Sequence, residues 1–370
     1  MATTRESPLG VPPSPLRRAL LLAPAATLAL PGALQALPAR TLVFPRDHGS
    51  HPDFRTEWWY ITGQARSGAR EFGFQVTFFR SRVDETQGMA SGFAARQLVF
   101  AHAAVTDVSG KKLWHDQRIA RTGFDVARAS EADTDLKLRD WTLRRDATTG
   151  RYLAAVPAGE FRLDLQFTET QPLLLQGDKG LSRKGPEAAQ ASYYYSQPQL
   201  DVRGTLGIKG QPFDVTGKAW LDHEWSRELL HPDAVGWDWI GMNLDDGSAL
   251  TAFRLRDKTG GAVWDGGSYR WVKSSRGGGL YTFSRGEVVF QPLRNWKSPV
   301  SNAVYPVEWL VRTPADFYTV KAVIDNQELD SRTSTGSIYW EGLSDLFDSN
   351  NRRVGRGYLE MTGYASPLRL

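Results

Sequence analysis

The segment Gly217–Ser226, with the sequence GKAWLDHEWS, contains the densest group of side chains that can transfer protons. It places Asp222, His223 and Glu224 next to one another inside a frame of two tryptophans. Ionisable groups in such surroundings acquire displaced pKa values, which are common at functional sites. The alternative is a strand end whose acids bind neighbouring backbone groups. We interpret the three residues as candidate catalytic groups and leave the acid and the base among them unassigned.

Strand geometry separates these three side chains. Successive residues of a β-strand point to opposite faces, so His223 would lie on one face and Asp222 and Glu224 on the other. We expect one face to line a barrel lumen and the other to meet the second half of the chain. Trp225 shares the face of His223, and we expect that pair to line the ligand pocket.

A second aromatic segment, Trp237-Asp238-Trp239, follows closely. In a strand both tryptophans would face one side and Asp238 the other, which makes Asp238 a fourth candidate catalytic acid. The alternative is a tryptophan pair that closes a barrel. The predicted ligand-binding residues are all aromatic: Trp59, Tyr195, Trp225, Trp237 and Trp239.

The segment DHGSHPDFRTE at residues 47–57 could in principle hold a metal. His48 and His51 lie three residues apart, with Asp53 and Glu57 beyond them, and such side chains can ligate Zn²⁺. The segment contains Gly and Pro and lacks the helical H-E-x-x-H pattern. We therefore interpret it as a polar lead-in that crosses a barrel mouth, and we predict neither a metal nor a cofactor.

Other reaction classes find little support. The chain contains no cysteine, which excludes disulfides and thiolate chemistry. It also lacks a nucleophile elbow, a P-loop and a dinucleotide-binding glycine motif after a strand.

The elements that carry these residues are predicted to be short strands. Glu57–Gly63 and Glu71–Arg82 read as a hairpin, and Glu160–Thr168 alternates between apolar and polar residues. Strands at this spacing are typical of barrels and sandwiches. Leu175–Ala191 is rich in Gly, Lys and Ala, and we expect a long mobile loop or lid there.

Three sequence echoes, in the same order in both halves, indicate an internal duplication. Trp58-Trp59-Tyr60-Ile61 is echoed by residues 237–240, Val156-Pro157-Ala158 by residues 313–315, and residues 215–219 by residues 361–365. We therefore predict an all-β protein made of two tandem antiparallel barrels, at residues 40–226 and 227–370. On this alignment the second half has no Asp-His-Glu triplet, which favours a functional role for the triplet.

Residues 1–39 are predicted to be an export signal. Arg17 and Arg18 precede an apolar run that ends in small residues, as in twin-arginine signals. We expect a periplasmic or secreted protein, and no later segment suits a membrane helix, so we do not expect an integral membrane protein. Removing Arg5, Arg17, Arg18 and Glu6 leaves 42 basic and 40 acidic residues. No basic block with aromatics remains, so we expect no nucleic-acid partner.

Several of these motifs together resemble the AttH-like proteins, a family that includes carotenoid 1,2-hydratase. They are EWWY, YYYS, GKAWLDHEWS, GWDWIGMNLDDG and YWEG, and the resemblance covers Phe44–Ala365. It implies two lipocalin-like barrels in tandem. It also implies addition of water across a terminal C=C bond without a cofactor, by a protonated acid in an apolar pocket. Within these motifs, the positions that could carry such chemistry are Asp222, His223, Glu224, Trp225 and Asp238, with acid and base unassigned.

Two functions follow from these observations. The first is an enzyme that hydrates or hydrolyses an apolar or lipid-like small molecule. The second is a periplasmic binding or carrier protein for such a molecule, in concert with a membrane exporter. A barrel lumen would suit either function.

Overall fold

The computed structural model describes residues 36–228, 230–274 and 277–368, and Ala36–Leu370 forms one compact unit. Residues 1–35 of the predicted export signal lie outside the described residues. Within the described part of the chain there is no α-helix, only the single-turn 3-10 helices Arg46–His48 and Asp84–Thr86. No helix in that part is long and apolar enough to cross a membrane. The all-β prediction is confirmed.

The first sheet contains thirteen antiparallel strands. They are β1 (Thr56–Ser67), β2 (Arg70–Arg82), β3 (Gln97–Asp107), β4 (Lys112–Arg121), β5 (Ala127–Ala129), β6 (Asp135–Leu138), β7 (Trp141–Arg145), β8 (Tyr152–Pro157), β9 (Phe161–Thr168), β10 (Leu174–Leu175), β11 (Leu181–Arg183), β12 (Ala191–Ile208) and β13 (Gln211–Glu228).

This first sheet curls into a nearly closed barrel. Its strand order is β4-β3-β2-β1-β13-β12-β9-β8-β7-β6-β5. Arg118 of the edge strand β4 lies 4.8 Å from the ring centroid of Trp141 on β7, two strands from the opposite edge, so the sheet curls back on itself. The lumen is filled by large buried side chains such as Trp59, Phe74 and Trp225.

The second sheet contains ten antiparallel strands. They are β14 (Gly236–Leu244), β15 (Ala249–Arg256), β16 (Ala262–Ser274), β17 (Gly277–Phe283), β18 (Val289–Lys297), β19 (Val304–Arg312), β20 (Phe317–Ala322), β21 (Glu328–Ser331), β22 (Ser337–Phe347) and β23 (Arg353–Met361). Its order is β17-β16-β15-β14-β23-β22-β20-β19-β18.

The two sheets repeat one strand order, with the first strand of each half paired to its second and to its last. The register of strand pairing shows that one of the three sequence echoes does not align equivalent residues. Tyr60 pairs with Asp222, and its counterpart Trp239 pairs with Glu360. The second half therefore carries an acid, Glu360, at the place of Asp222. The echo between residues 215–219 and 361–365 was out of register, because short Thr-Gly matches do not determine pairing.

The segment 174–190 is also more ordered than its composition predicted. Strands β10 and β11 both pair with β12, for example Leu175 with Tyr195. Lys184, just after β11, is buried. The expected mobile lid is instead a strap hydrogen-bonded to the barrel.

Candidate active site between the two sheets

A cavity of about 310 Å³ lies where the outer faces of the two sheets meet. Drug-sized ligands occupy pockets of about 300 Å³ and above. The walls are mostly apolar and aromatic, and acids contribute most of the charge. The first sheet supplies Trp58, Tyr60, Phe79, Asp222 and Glu224, and the second supplies Trp237, Trp239, Phe253, Glu341 and Glu360.

Alternation along β13 divides the predicted triplet as strand geometry requires. Asp222 and Glu224 point out of the barrel into the cavity, whereas His223 points into the lumen, where it is fully buried. The expectation that His223 and Trp225 line the pocket is therefore corrected. The lumen is packed with side chains, so the cavity forms on the opposite face of the strand.

Asp222 is held by three donors. Ser196 Oγ and Trp220 Nε1 donate to its Oδ1 at 2.5 and 2.8 Å, and Tyr194 Oη donates to its Oδ2 at 2.9 Å. Burial nevertheless raises the pKa of Asp222 to about 7, against the opposing effect of these hydrogen bonds. Desolvation of the charged form outweighs the donors here.

Glu224 forms a buried ion pair with Lys184 at 3.0 Å. It also accepts a hydrogen bond from Ser192 Oγ. The Lys184 ammonium lies 4.8 Å from the ring centroid of Tyr194 and 4.4 Å from that of Phe253. The pair gives one end of an otherwise apolar cavity a charged, hydrogen-bonding character.

Glu341 and Glu360 are two cavity acids that our reading of the sequence missed. They are direct cross-strand partners on β22 and β23. Burial, followed by the charge of Glu360, raises the pKa of Glu341 well above its usual range. Burial raises the pKa of Glu360 to about 7, with the hydrogen bond from Trp237 opposing and the charges of Asp222 and Glu224 adding to the rise.

The two oxygens of the Glu341 carboxyl differ in their hydrogen bonding. Its Oε2 accepts from Gln75 Nε2 at 2.6 Å. In the described part of the chain its Oε1 has no hydrogen-bond partner of good geometry, and neither does the buried hydroxyl of Tyr60 beside it. A signal for Glu341 was present in the YWEG motif at residues 339–342, but that motif alone does not indicate chemistry.

Inside the first barrel, Glu57 is the centre of a second buried network, which adjoins the cavity because Glu57 and Arg80 also border it. Its Oε1 accepts from His51 Nδ1 at 2.7 Å and from His223 Nε2 at 3.0 Å, and its Oε2 accepts from Arg80 at 2.9 Å. Burial by itself would raise the pKa of Glu57, but the hydrogen bonds from His223 and His51 hold that pKa well below its usual range. Burial lowers the pKa of His223 to about 4, so a neutral imidazole donates to a carboxylate.

This network also contains a possible ligand set. His51, Glu57 and His223 bring their ligand atoms within 4.8 Å of one another. Those atoms already bind each other, and Arg80 lies against the same carboxylate. A cation would have to displace these hydrogen bonds beside an arginine. The arrangement suits a latch that attaches the lead-in segment to the barrel.

Three of the predicted ligand-binding residues, Trp59, Tyr195 and Trp225, belong to the same latch. Tyr195 Oη lies 2.8 Å from His48 Nδ1 and 3.2 Å from His223 Nδ1. Trp59 Nε1 donates to the backbone oxygen of His48 at 3.0 Å. Trp225 stacks on the imidazole of His51 at 3.8 Å between ring centroids. The structure thus places Trp59, Tyr195 and Trp225 together, but away from the cavity.

Asp238 also lies away from the cavity, whereas its neighbours Trp237 and Trp239 line it. Asp238 forms an ion pair with Arg254 at 2.7 Å and accepts from Tyr364 Oη at 2.8 Å. Alternation along β14 explains the division, because the two tryptophans and the acid point to opposite faces.

Comparison with known proteins is consistent with this fold. An AttH-like protein from Nitrosomonas europaea is 45% identical, with 89% of this chain and 99% of that chain covered and a TM-score of 0.81. Kievitone hydratase from Nectria haematococca is 11% identical, with 88% and 94% covered and a TM-score of 0.68, and shares the lipocalin-like fold.

A curated relative matches a shorter region. The ceramide-binding protein svf1 of Aspergillus fumigatus is 26% identical over 141 residues, which are 37% of this chain and 35% of that protein. The chain therefore spans about a third of the length of the curated relative it matches. The AttH-like family matches residues 35–364. The chain belongs to the AttH-like family.

Proposed function

We propose that this protein is a cofactor-independent hydratase that adds water across a C=C bond of an apolar small molecule. The single observation that carries the proposal is the carboxyl of Glu341. It is buried among aromatic rings, and its pKa is raised well above the usual range. Its Oε1 has no hydrogen-bond partner of good geometry among the described residues, and the Tyr60 hydroxyl lies beside it. A neutral acid with a free O–H is what protonation of an alkene requires.

Glu360, the cross-strand neighbour of Glu341, supplies the base that the reaction also needs. Glu341 donates its proton to one alkene carbon, and the π electrons form the new C–H bond. The faces of Trp237, Trp239 and Phe253 stabilise the resulting tertiary cation. Water then adds to the cation and gives its proton to Glu360. The proton returns from Glu360 to Glu341 across the strand pair, so the substrate gains one water and the protein is unchanged.

The pKa values separate these roles. Two carboxyls in contact cannot both ionise easily, so one keeps its proton while the other loses it. The charge of Glu360 helps to raise the pKa of Glu341, so we assign Glu341 as the acid that keeps its proton and Glu360, with a pKa of about 7, as the base. Asp222 is engaged by three donors, and we assign it to the wall that orients water.

The test is conversion of squalene or an acyclic carotene, dispersed in detergent, in oxygen-18-labelled water. We expect the wild type to give an alcohol that carries the label. Glu341→Gln should lower the rate by about 10²–10⁴-fold, the usual contribution of a general acid, without lowering the melting temperature. The matched control is Glu308→Gln, since Glu308 pairs with Arg294 outside the cavity. A Glu341→Gln variant as active as the control would remove Glu341 from the mechanism.

A second function is favoured by the stretch shared with the ceramide-binding protein. On this alternative the cavity carries an apolar ligand without turnover and serves a membrane exporter. Tight binding of the probe without label incorporation in the wild type would support it over hydration.

We also propose that the protein acts in the periplasm or outside the cell, after loss of residues 1–39. The paired Arg17 and Arg18 before an apolar run support this. N-terminal sequencing of the protein from its native host should find a start close to residue 40. A chain that starts at Met1 or Ala2 and stays in the cytoplasm would contradict it.

A further inference from the structure

A continuous row of side chains leads from the cavity to the edge of the first sheet. On neighbouring strands, Glu224 pairs with Trp58, Trp58 with Phe79, Phe79 with Phe100, and Phe100 with Ile119. Residues directly opposite one another share a face of the sheet. Four strand spacings make the row about 19 Å long.

The row becomes more exposed along its length. Glu224 is buried, the three aromatic residues are half-buried, and Ile119 on the edge strand is 38% exposed. Glu224 and the three aromatic residues line the cavity. The apolar wall of the cavity therefore reaches the protein surface at β4.

An exposed aromatic pair lies where this row ends. Phe93 is 74% exposed and Phe124 is 60% exposed, and their rings stack with centroids 5.4 Å apart. Arg121, two residues after Ile119 and on the same face of β4, lies 4.3 Å from the ring centroid of Phe124 and 5.6 Å from that of Phe93. We call Phe93, Ile119, Arg121 and Phe124 the lip patch.

Two features make the lip patch unusual for a surface exposed only to water. Phe124 is held at φ 55°, a left-handed conformation that is unfavourable for so large a side chain. No ion pair joins Arg121 to a carboxylate among the described residues, where its Nη1 also has no hydrogen-bond partner, and the nearby Arg96 donates to the backbone oxygen of Met89. Exposed aromatic side chains beside unpaired cations suit a layer that offers both apolar chains and phosphates.

We propose that the lip patch binds the surface of a phospholipid bilayer. An apolar ligand then passes between the membrane and the cavity along Phe100, Phe79 and Trp58 without crossing water. The proposal requires only that the cavity accept an apolar ligand, which the hydratase and the carrier share.

The experiment is co-sedimentation with phosphatidylcholine vesicles that contain a minority of phosphatidylglycerol. All variants use residues 36–370, which contain both sheets and both cores, so that the apolar run before residue 36 does not itself bind lipid. We expect Phe93→Ser with Phe124→Ser to weaken vesicle binding about tenfold or more. The matched control is Leu293→Ser with Phe317→Ser, two exposed residues on the second sheet, and should bind as the wild type does.

The outcomes separate this proposal from the proposed function. The lip variant should hydrate detergent-dispersed substrate normally, whereas Glu341→Gln should lose hydration but still bind vesicles. No binding by the wild type, or equal binding by the lip variant, would overturn the proposal. A wild-type dimer that the lip variant converts to a monomer, with vesicle binding unchanged, would assign the patch to a second copy of the chain and equally overturn it.

Discussion

Burial rather than residue type decides which acids of the cavity can do chemistry. Asp222, Glu341 and Glu360 all face the space between the sheets, and burial is the largest cause of the raised pKa of each. Asp238 is equally buried, but it is paired with Arg254. Asp238 therefore differs in role from the three cavity acids, because the charge of Arg254 compensates its own.

The acid–base pair predicts a pH profile. The base must be ionised, so kcat/KM for hydration should rise as the pH increases through about 7, the pKa of Glu360. It should fall again where Glu341 loses its proton. Because the two carboxyls interact, the measured values belong to the pair. A flat profile between about pH 5 and about pH 9 would contradict the assignment.

Asp222 makes a prediction for stability. The folded protein binds this proton more tightly than the unfolded chain does, because the folded pKa is about 7 and the ordinary value is 3.8. The stabilising effect is complete below about pH 4 and is lost as the pH rises to about 7. Asp222→Asn should therefore gain melting temperature relative to the wild type between about pH 4 and about pH 8. An unchanged difference across that range would count against a raised pKa.

At the scale of the element, β13 serves both halves of the molecule at once. Its odd-numbered residues around His223 complete the lumen network, and its even-numbered acids form one wall of the cavity. The network also attaches the lead-in segment, since Glu57 on β1 binds both His51 and His223. The same strand thus couples the stability of the barrel to the geometry of the site.

His223 should be structural in this arrangement. His223→Ala removes hydrogen bonds to Glu57 and Tyr195 and leaves a void beside Trp59, so we expect a loss of about 2–5 kcal/mol of unfolding free energy. The protein that remains folded should keep its hydratase rate. Chemical denaturation and turnover measured on the same sample check this, with His231→Ala in the linker as the control. A fully stable but inactive variant would place His223 in the mechanism.

At the scale of the whole molecule, the cavity exists only because the two sheets meet. Tyr60, Trp220, Trp239 and Phe253 pack in one apolar cluster between them. Polar groups fix the relative placement of the sheets. Gln75 on the first sheet binds Glu341 on the second, and His102 Nδ1 lies 2.8 Å from Tyr339 Oη. The contacts that join the two sheets therefore also fix the positions of the cavity residues.

Separating the halves should abolish the site. A chain of residues 36–228 exposes the apolar interface and lacks Glu341 and Glu360, so we expect it to aggregate, or to bind a hydrophobic dye strongly, and to show no hydration. Size-exclusion chromatography and the labelled-water assay check this against residues 36–370. Activity in the isolated half would contradict a site between the sheets and would indicate a site in the barrel lumen.

The sequence by itself determined the features that depend on local alternation and on motif content. It indicated short antiparallel strands, a repeated half, the opposite directions of His223 and its two acidic neighbours, and the AttH-like resemblance. These follow because a strand has a two-residue period and because motifs are contiguous. The lipocalin-like fold and the family could be predicted for the same reason.

Only the tertiary structure decided which face of each strand matters. Both faces of β13 are buried from Ala219 to Ser226, so apolar pattern alone could not distinguish lumen from interface there. Glu341 and Glu360 meet by strand pairing within the second sheet, but Asp222 lies far from them in the chain and joins them only through the packing of one sheet on the other. Their raised pKa values arise from that packing, because desolvation depends on what surrounds a group in space and not on its sequence neighbours.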